Sequence, residues 1–177
     1  MLAELSKRAA ALGIDAFRPI PPSRLNPDSR IREYCRDNRC GRYDRHYMCP
    51  PTVGTIESCR ARLHAYAHGF LVQAVYPAKD PSDSEAVRRS KLDFHKKILE
   101  LEAVPTERGL PSLGLVGGDC ALCTPCFAFR NTPCPHPEKA RPSLEALGVN
   151  VIETLAMLGL DTGFHPDRIT WTGCVLY

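Results

Sequence analysis

The chain has no apolar run long enough to cross a bilayer. Its longest, Gly69-Phe-Leu-Val-Gln-Ala-Val-Tyr76, falls far short of the roughly 20 residues a spanning helix needs. The N-terminus, Met1-Leu-Ala-Glu-Leu-Ser-Lys-Arg8, offers neither an apolar core segment nor a small-residue cleavage site, so no export signal is expected. One-sided charge is missing too: 23 Lys and Arg face 20 Asp and Glu, a formal net charge of +3. The two signs are interleaved, which leaves no footprint for nucleic acid. There is no phosphate-cradling glycine loop, no dinucleotide fingerprint and no Ser-His-Asp order, so a nucleotide cofactor has no support. Internal repeats and low-complexity segments are absent. These absences exclude membrane and nucleic-acid partners and leave a cytoplasmic globular protein, with oligomeric state open.

What the sequence has in abundance is cysteine. Nine thiols in 177 residues would suggest disulfides in a secreted chain, but the odd count leaves one unpaired and no export signal is visible. A reduced protein using thiolates as metal ligands is the better reading. The organising stretch is Cys120-Ala-Leu-Cys123-Thr-Pro-Cys126 followed by Cys134-Pro135, a C-x2-C-x2-C-x7-C-P spacing. Two-residue gaps let three thiolates converge on one small inorganic core while the backbone wraps it. Bacterial ferredoxins use such a triplet with a distant Cys-Pro for [4Fe–4S] clusters. Zinc sites more often split four ligands into two separated pairs. The spacing therefore favours a [4Fe–4S] cluster on Cys120, Cys123, Cys126 and Cys134, with Zn²⁺ as the alternative and a disulfide or inert set behind both.

A second, weaker group is Cys35, Cys40 and Cys49, with Pro50-Pro51 giving an extended exit. It would hold a second cluster, or be buried core thiols. Cys59 is a fourth ligand for this group if it reaches it. Cys174, in a terminal strand, reads as a core thiol. The arginine run Arg30, Arg32, Arg36, Arg39, Arg42 and Arg45 reads as a solvated face beside a negative cluster rather than a phosphate or partner site.

Periodicity predicts helices over 2–12, 31–37, 55–66, 82–102, 143–147 and 149–158, and strands over 14–20, 70–76, 113–117 and 169–177. Gly117-Gly118-Asp119 delivers the third strand into Cys120, the strand-then-loop position where α/β proteins place chemistry. The expected fold is α/β or α+β: a single domain over 1–177 with a small mixed sheet flanked by helices. Its two cysteine-rich loop regions are a box over 35–59 and a motif over 117–148.

The chain from about Cys35 onward resembles the predicted metal-binding proteins of domain-of-unknown-function family 2284. The likeness rests on a box running from Cys40-Gly-Arg-Tyr43 to Cys49-Pro-Pro51, then a long helix, the C-x2-C-x2-C triplet and Arg141-Pro-Ser-x-Glu145-Ala-x-Gly148. Departures are Asp44 where the family usually shows Gly, Tyr47 for Trp, Pro135 for Arg and Asn150 for Asp. None removes a thiolate. The resemblance implies a metal-binding or Fe–S protein and supplies no reaction.

Three functions follow. An electron-transfer or redox accessory protein would carry one or two fully ligated clusters, with backbone N–H groups of the Gly117-Gly118 and Cys-x2-Cys turns tuning potential. It would work with a redox partner protein. An enzyme would use an open iron on Cys35, Cys40 and Cys49 to bind a small-molecule substrate, with His46 as proton donor beside Tyr43 and Tyr47. A structural zinc module is the third. His64, His68 and His95 read as surface or packing residues and Glu145 with Arg141 as a bracing pair. His136, between two prolines beside Cys134, leaves open an outer partner of the ligands, an alternative ligand or no part in the site.

Overall fold

In chain order the computed structural model, which describes residues 1–177, runs α1 (Leu2–Ala11), β1 (Ala16–Pro19), α2 (Ser29–Arg36), α3 (Ile56–His64), β2 (Gly69–Pro77), α4 (Ser84–Thr106), β3 (Leu113–Leu115), α5 (Val151–Met157) and β4 (Arg168–Leu176). The helix starts follow local chemistry. Asp28, Thr55, Asp83 and Asn150 each accept a backbone N–H of the first turn of α2, α3, α4 and α5, satisfying donors the helix itself cannot. At residue 150 the amide of Asn performs the cap.

The strands form one sheet in the order β1-β2-β4-β3, and all three pairings are antiparallel. The fold is therefore α+β, and the sheet is antiparallel rather than mixed; its one parallel contact outside the strands is a bridge between Val116 and Ser143. The central β2–β4 ladder pairs Phe70 with Val175 and Leu71 with Cys174. Alternation sends successive residues to opposite faces, and here both faces are covered. Phe70, Val72, Ala74 and Val175 pack under Leu5 and Ala9 of α1 and Phe94, Ile98 and Leu101 of α4. Leu71, Cys174 and Leu176 pack under Cys59 and Leu63 of α3 and Leu144, Leu147, Val149 and Leu155. That double burial is why β2 reads as a continuous apolar run. Phe70 and Phe94 are fully buried, each worth about 1.5–3 kcal/mol relative to exposure.

Two elements differ from their sequence reading. Residues 143–147 are not a helix but a set of turns. Five residues cannot offset a helix nucleus, and the Ser143 hydroxyl instead accepts the Ala146 N–H at 3.1 Å while Leu144 and Leu147 enter the core. Helix α4 continues past Glu102 to Thr106, through Pro105; the missing N–H removes a single ladder bond, and the ring is buried.

Candidate metal centre

Strand β3 feeds the cysteine motif through Gly117 and Gly118. A Cβ on Gly117 would sit 2.9 Å from Trp171 Cε3, and Gly118 takes φ +69°, where glycine carries no steric penalty. Beyond Asp119, the loop places Cys120, Cys123, Cys126 and Cys134 around a single closely packed cavity of about 10 Å³. His46, Tyr47, Met48, Leu122 and Phe127 complete most of an otherwise apolar lining. Cys120 and Cys126 are buried, Cys123 and Cys134 half-buried. A turn of 3₁₀ helix over Phe127–Arg130, closed by Asn131 at φ 51°, carries the chain from Cys126 back towards Cys134.

Burial pushes the Cys120 thiol up, against the backbone N–H groups of Leu122 and Arg141, which point at its sulfur and favour thiolate. Cys123 is pushed up by burial and then by the neighbouring Cys134 and Cys126. Thiols gathered in an apolar nest resist ionising without a cation; a bound metal reverses that balance.

The second group also comes together. Cys35 lies half-buried on α2, Cys40 is exposed and Cys49 buried. Burial first, then Asp119, Cys40 and Cys35 push the Cys49 thiol up to about 12; burial and Cys40 push Cys35 up. After Cys49 the chain turns, Val53 N donating to the Cys49 carbonyl at 3.3 Å, instead of leaving extended; the Pro50–Pro51 peptide is cis. Asp44 sits at φ 56°, the left-handed region that glycine adopts without penalty. Cys59 stands apart. It is 1% exposed within the core under β2 and β4, receives Arg32 Nη2–H at 3.0 Å and lies 3.5 Å from the Val53 carbonyl.

The two groups adjoin through Asp119. Its carboxylate pairs with Lys91 of α4 and with Arg42 at 3.1 Å. Burial works to raise the Asp119 carboxyl, but the Lys91 hydrogen bond and the Lys91 and Arg42 charges outweigh it and hold it below its usual range. Tyr47 Oη donates to the Thr132 carbonyl at 2.7 Å, and the Arg42 guanidinium lies 5.8 Å from the Phe129 ring centroid. The N-terminal box is thus clasped onto the motif loop. Part of the arginine run is structural: Arg30 pairs with Asp28, Arg32 is turned inward to Cys59 and Gly54, and Arg42 holds Asp119. Arg36, Arg39 and Arg45 are exposed.

Two histidines near the motif are buried. His46 is 3% exposed; its Nδ1 accepts the Met48 N–H at 3.1 Å, its Nε2 lies 3.9 Å from Asp119 Oδ2, and the Cys120 backbone faces it. Burial lowers its pKa, and the ring is enclosed by the Met48 N–H, the Asp119 carboxylate and the Cys120 backbone. His95, expected as a surface or packing residue, is a packing residue with a further contact to the motif loop. Fully buried, it contacts the Lys139 carbonyl through Nε2 at 3.0 Å and accepts the Ala121 N–H at Nδ1 at 3.3 Å. His136 is absent from the cavity lining. Arg141 braces Glu102 at 2.7 Å, not Glu145.

No three His, Cys, Asp or Glu side chains converge on a single-ion position, so the fit to a metal group rests on the donor set. That set is four thiols in an apolar cavity, soft donors that suit an iron–sulfur cluster or Zn²⁺ and not a hard cation. A wider cleft lined by Asp28, Glu57, Arg60 and Glu153 contains no cysteine. No helix is long and apolar enough to cross a membrane.

The family model described as "Predicted metal-binding protein (DUF2284)" matches residues 18–177, reaching further towards the N-terminus than the motifs do. No curated protein and no solved structure matches the chain.

Proposed function

The chain belongs to the predicted metal-binding proteins of family DUF2284, and on that premise we propose that it holds a [4Fe–4S] cluster on Cys120, Cys123, Cys126 and Cys134 and serves in electron transfer or as a redox accessory protein. The observation that carries this reading is the gathering of all four motif cysteines around one apolar cavity. The direction of the Leu122 and Arg141 amides towards the Cys120 sulfur supports it, because such donors stabilise metal-bound sulfur and tune its potential. When bound, a cluster with four thiolate ligands supplies one-electron chemistry. The protein's own residues exclude water from it and fix the cysteines, and Lys91 and Arg42 balance the charge of Asp119 beside it. Nine free thiols agree with a reducing, cytoplasmic setting. The partner would be a redox protein.

A second reading is favoured by Cys59. Its engagement with Arg32 and Val53 leaves Cys35, Cys40 and Cys49 as a three-thiol group, and three ligands would leave one iron of a second cluster open to a small substrate.

The test is iron, sulfide and zinc content per chain, with a visible spectrum, on protein purified without oxygen. About four irons with matching sulfide supports one cluster, and about eight supports two, counting four per cubane. Zinc without sulfide overturns both readings and leaves a structural zinc module.

A further inference from the structure

Cys120 and Ala121 share one peptide unit that lies between two buried histidines, hydrogen-bonded to one at its N–H and facing the other on its carbonyl side. The N–H, belonging to Ala121, donates to His95 Nδ1 at 3.3 Å. The carbonyl side, belonging to Cys120, faces His46. The two rings come from unrelated parts of the chain, His95 from α4 and His46 from the N-terminal cysteine box. Each spends Nδ1 as an acceptor for a backbone N–H, His46 for Met48 at 3.1 Å. A neutral imidazole that accepts at Nδ1 carries its proton on Nε2. That Nε2–H of His95 donates to the Lys139 carbonyl at 3.0 Å, and the one on His46 is turned towards Cys120.

Around Cys120 the amides are therefore divided. Those of Leu122 and Arg141 point at its sulfur, while that of Ala121 is drawn away to His95. We propose that His95 and His46 are a pair of positioning residues that clamp the Cys120–Ala121 peptide. The clamp sets the direction of the first motif cysteine and withholds the Ala121 N–H from metal-bound sulfur. His95 also ties the start of the motif loop to Lys139, beyond its last cysteine. This rests on the reading of Cys120 as a metal ligand.

The two contacts of His95 can be separated. His95→Asn keeps an acceptor near Nδ1 for Ala121 and gives up Lys139. His95→Gln keeps a donor near Nε2 for Lys139 and gives up Ala121. Metal loss to a chelator is followed in each full-length protein, together with the visible and magnetic-resonance spectra and, for iron, the midpoint potential. His95→Gln is expected to lose metal faster by on the order of 10–100-fold, the usual effect of removing an outer partner of a ligand. It should also shift the spectrum and raise the potential, since the freed N–H can turn to sulfur. His95→Asn should stay near the parent. His46→Asn, which keeps the Met48 contact and removes Nε2, gives an independent probe from the other side and should also shift the spectrum.

Parent-like metal loss, spectra and potential in both His95→Gln and His46→Asn overturn the clamp. So does a His95→Asn protein more disturbed than His95→Gln, which would assign the effect to Lys139. Cys123→Ala separates the two failures. If it loses metal while the histidine variants behave as the parent, the clamp alone falls. If it retains the parent's metal and spectrum, the ligand reading falls and the clamp with it.

Discussion

Arg42 Nε lies 3.1 Å from Asp119 Oδ2, joining the N-terminal cysteine box to the residue immediately before the first motif cysteine. Lys91 of α4 holds the other carboxylate oxygen, so one acidic side chain anchors three segments. Its exposure is 17% and that of Lys91 16%, too little for water to replace Lys91.

Asp119→Asn should therefore be among the most damaging conservative changes. It leaves Lys91 and Arg42 without their counter-charge in a poorly solvated place, at a cost on the order of 3 kcal/mol. Chemical denaturation of parent and variant measures it. A loss below about 1 kcal/mol, the range of exposed pairs, would show that solvent screens the cluster.

Cys123→Ala and Cys174→Ala should differ in kind. The first removes a thiol from the cavity and is expected to release the metal and lower the unfolding midpoint, because bound metal adds to folding free energy. The second truncates a fully buried thiol of the sheet core and should leave metal per chain unchanged. Elemental analysis of the two variants decides; iron lost from Cys174→Ala would place that residue at the metal.

Cys59→Ala tests the three-thiol reading. With Cys59 held by Arg32 at 3.0 Å, metal content should equal the parent's, while stability falls because Arg32 loses a partner and its Nε is already without one. Loss of part of the metal would instead make Cys59 a fourth ligand.

Burial pushes the Glu145 carboxyl up, and Arg141 pairs with Glu102 rather than with it. A carboxyl raised in the folded state binds its proton more tightly there than in the unfolded chain. Its contribution is fully present below the ordinary glutamate value near 4.3 and is lost as pH rises through the folded value. Glu145→Gln should remove that loss and be more stable than the parent at neutral pH. Denaturant midpoints from pH 4 to 8 check it: an unchanged difference across the range would mean that Glu145 does not titrate differently on folding.

Much of the scaffold was legible because its signals are local. The helical periodicity over 55–66 and 82–102 and the apolar run from Phe70 to Tyr76 each act within a few residues, and both helices and the central strand followed. The motif cysteines were legible through spacing. The sheet's pairing sense was not, since double burial gives antiparallel β2 the same continuous apolar run as a parallel strand. The contacts of His95 with the motif segment were not legible because its partners are backbone atoms of residues 121 and 139, which carry no side-chain pattern. One signal was available. Lys91, His95 and Glu102 stand four and seven residues apart, a single face of α4, and all three meet the motif segment, at Asp119, at Ala121 with Lys139, and at Arg141.

That face bears on how the loop is framed. The adjoining stripe, Phe94, Ile98 and Leu101, fastens the helix to the sheet, and its packing draws on no cysteine of the motif. The contacts that hang the motif loop on the helix and the helix on the sheet thus include no motif thiol, so the frame of the loop and its cysteines are built from separate sets of side chains.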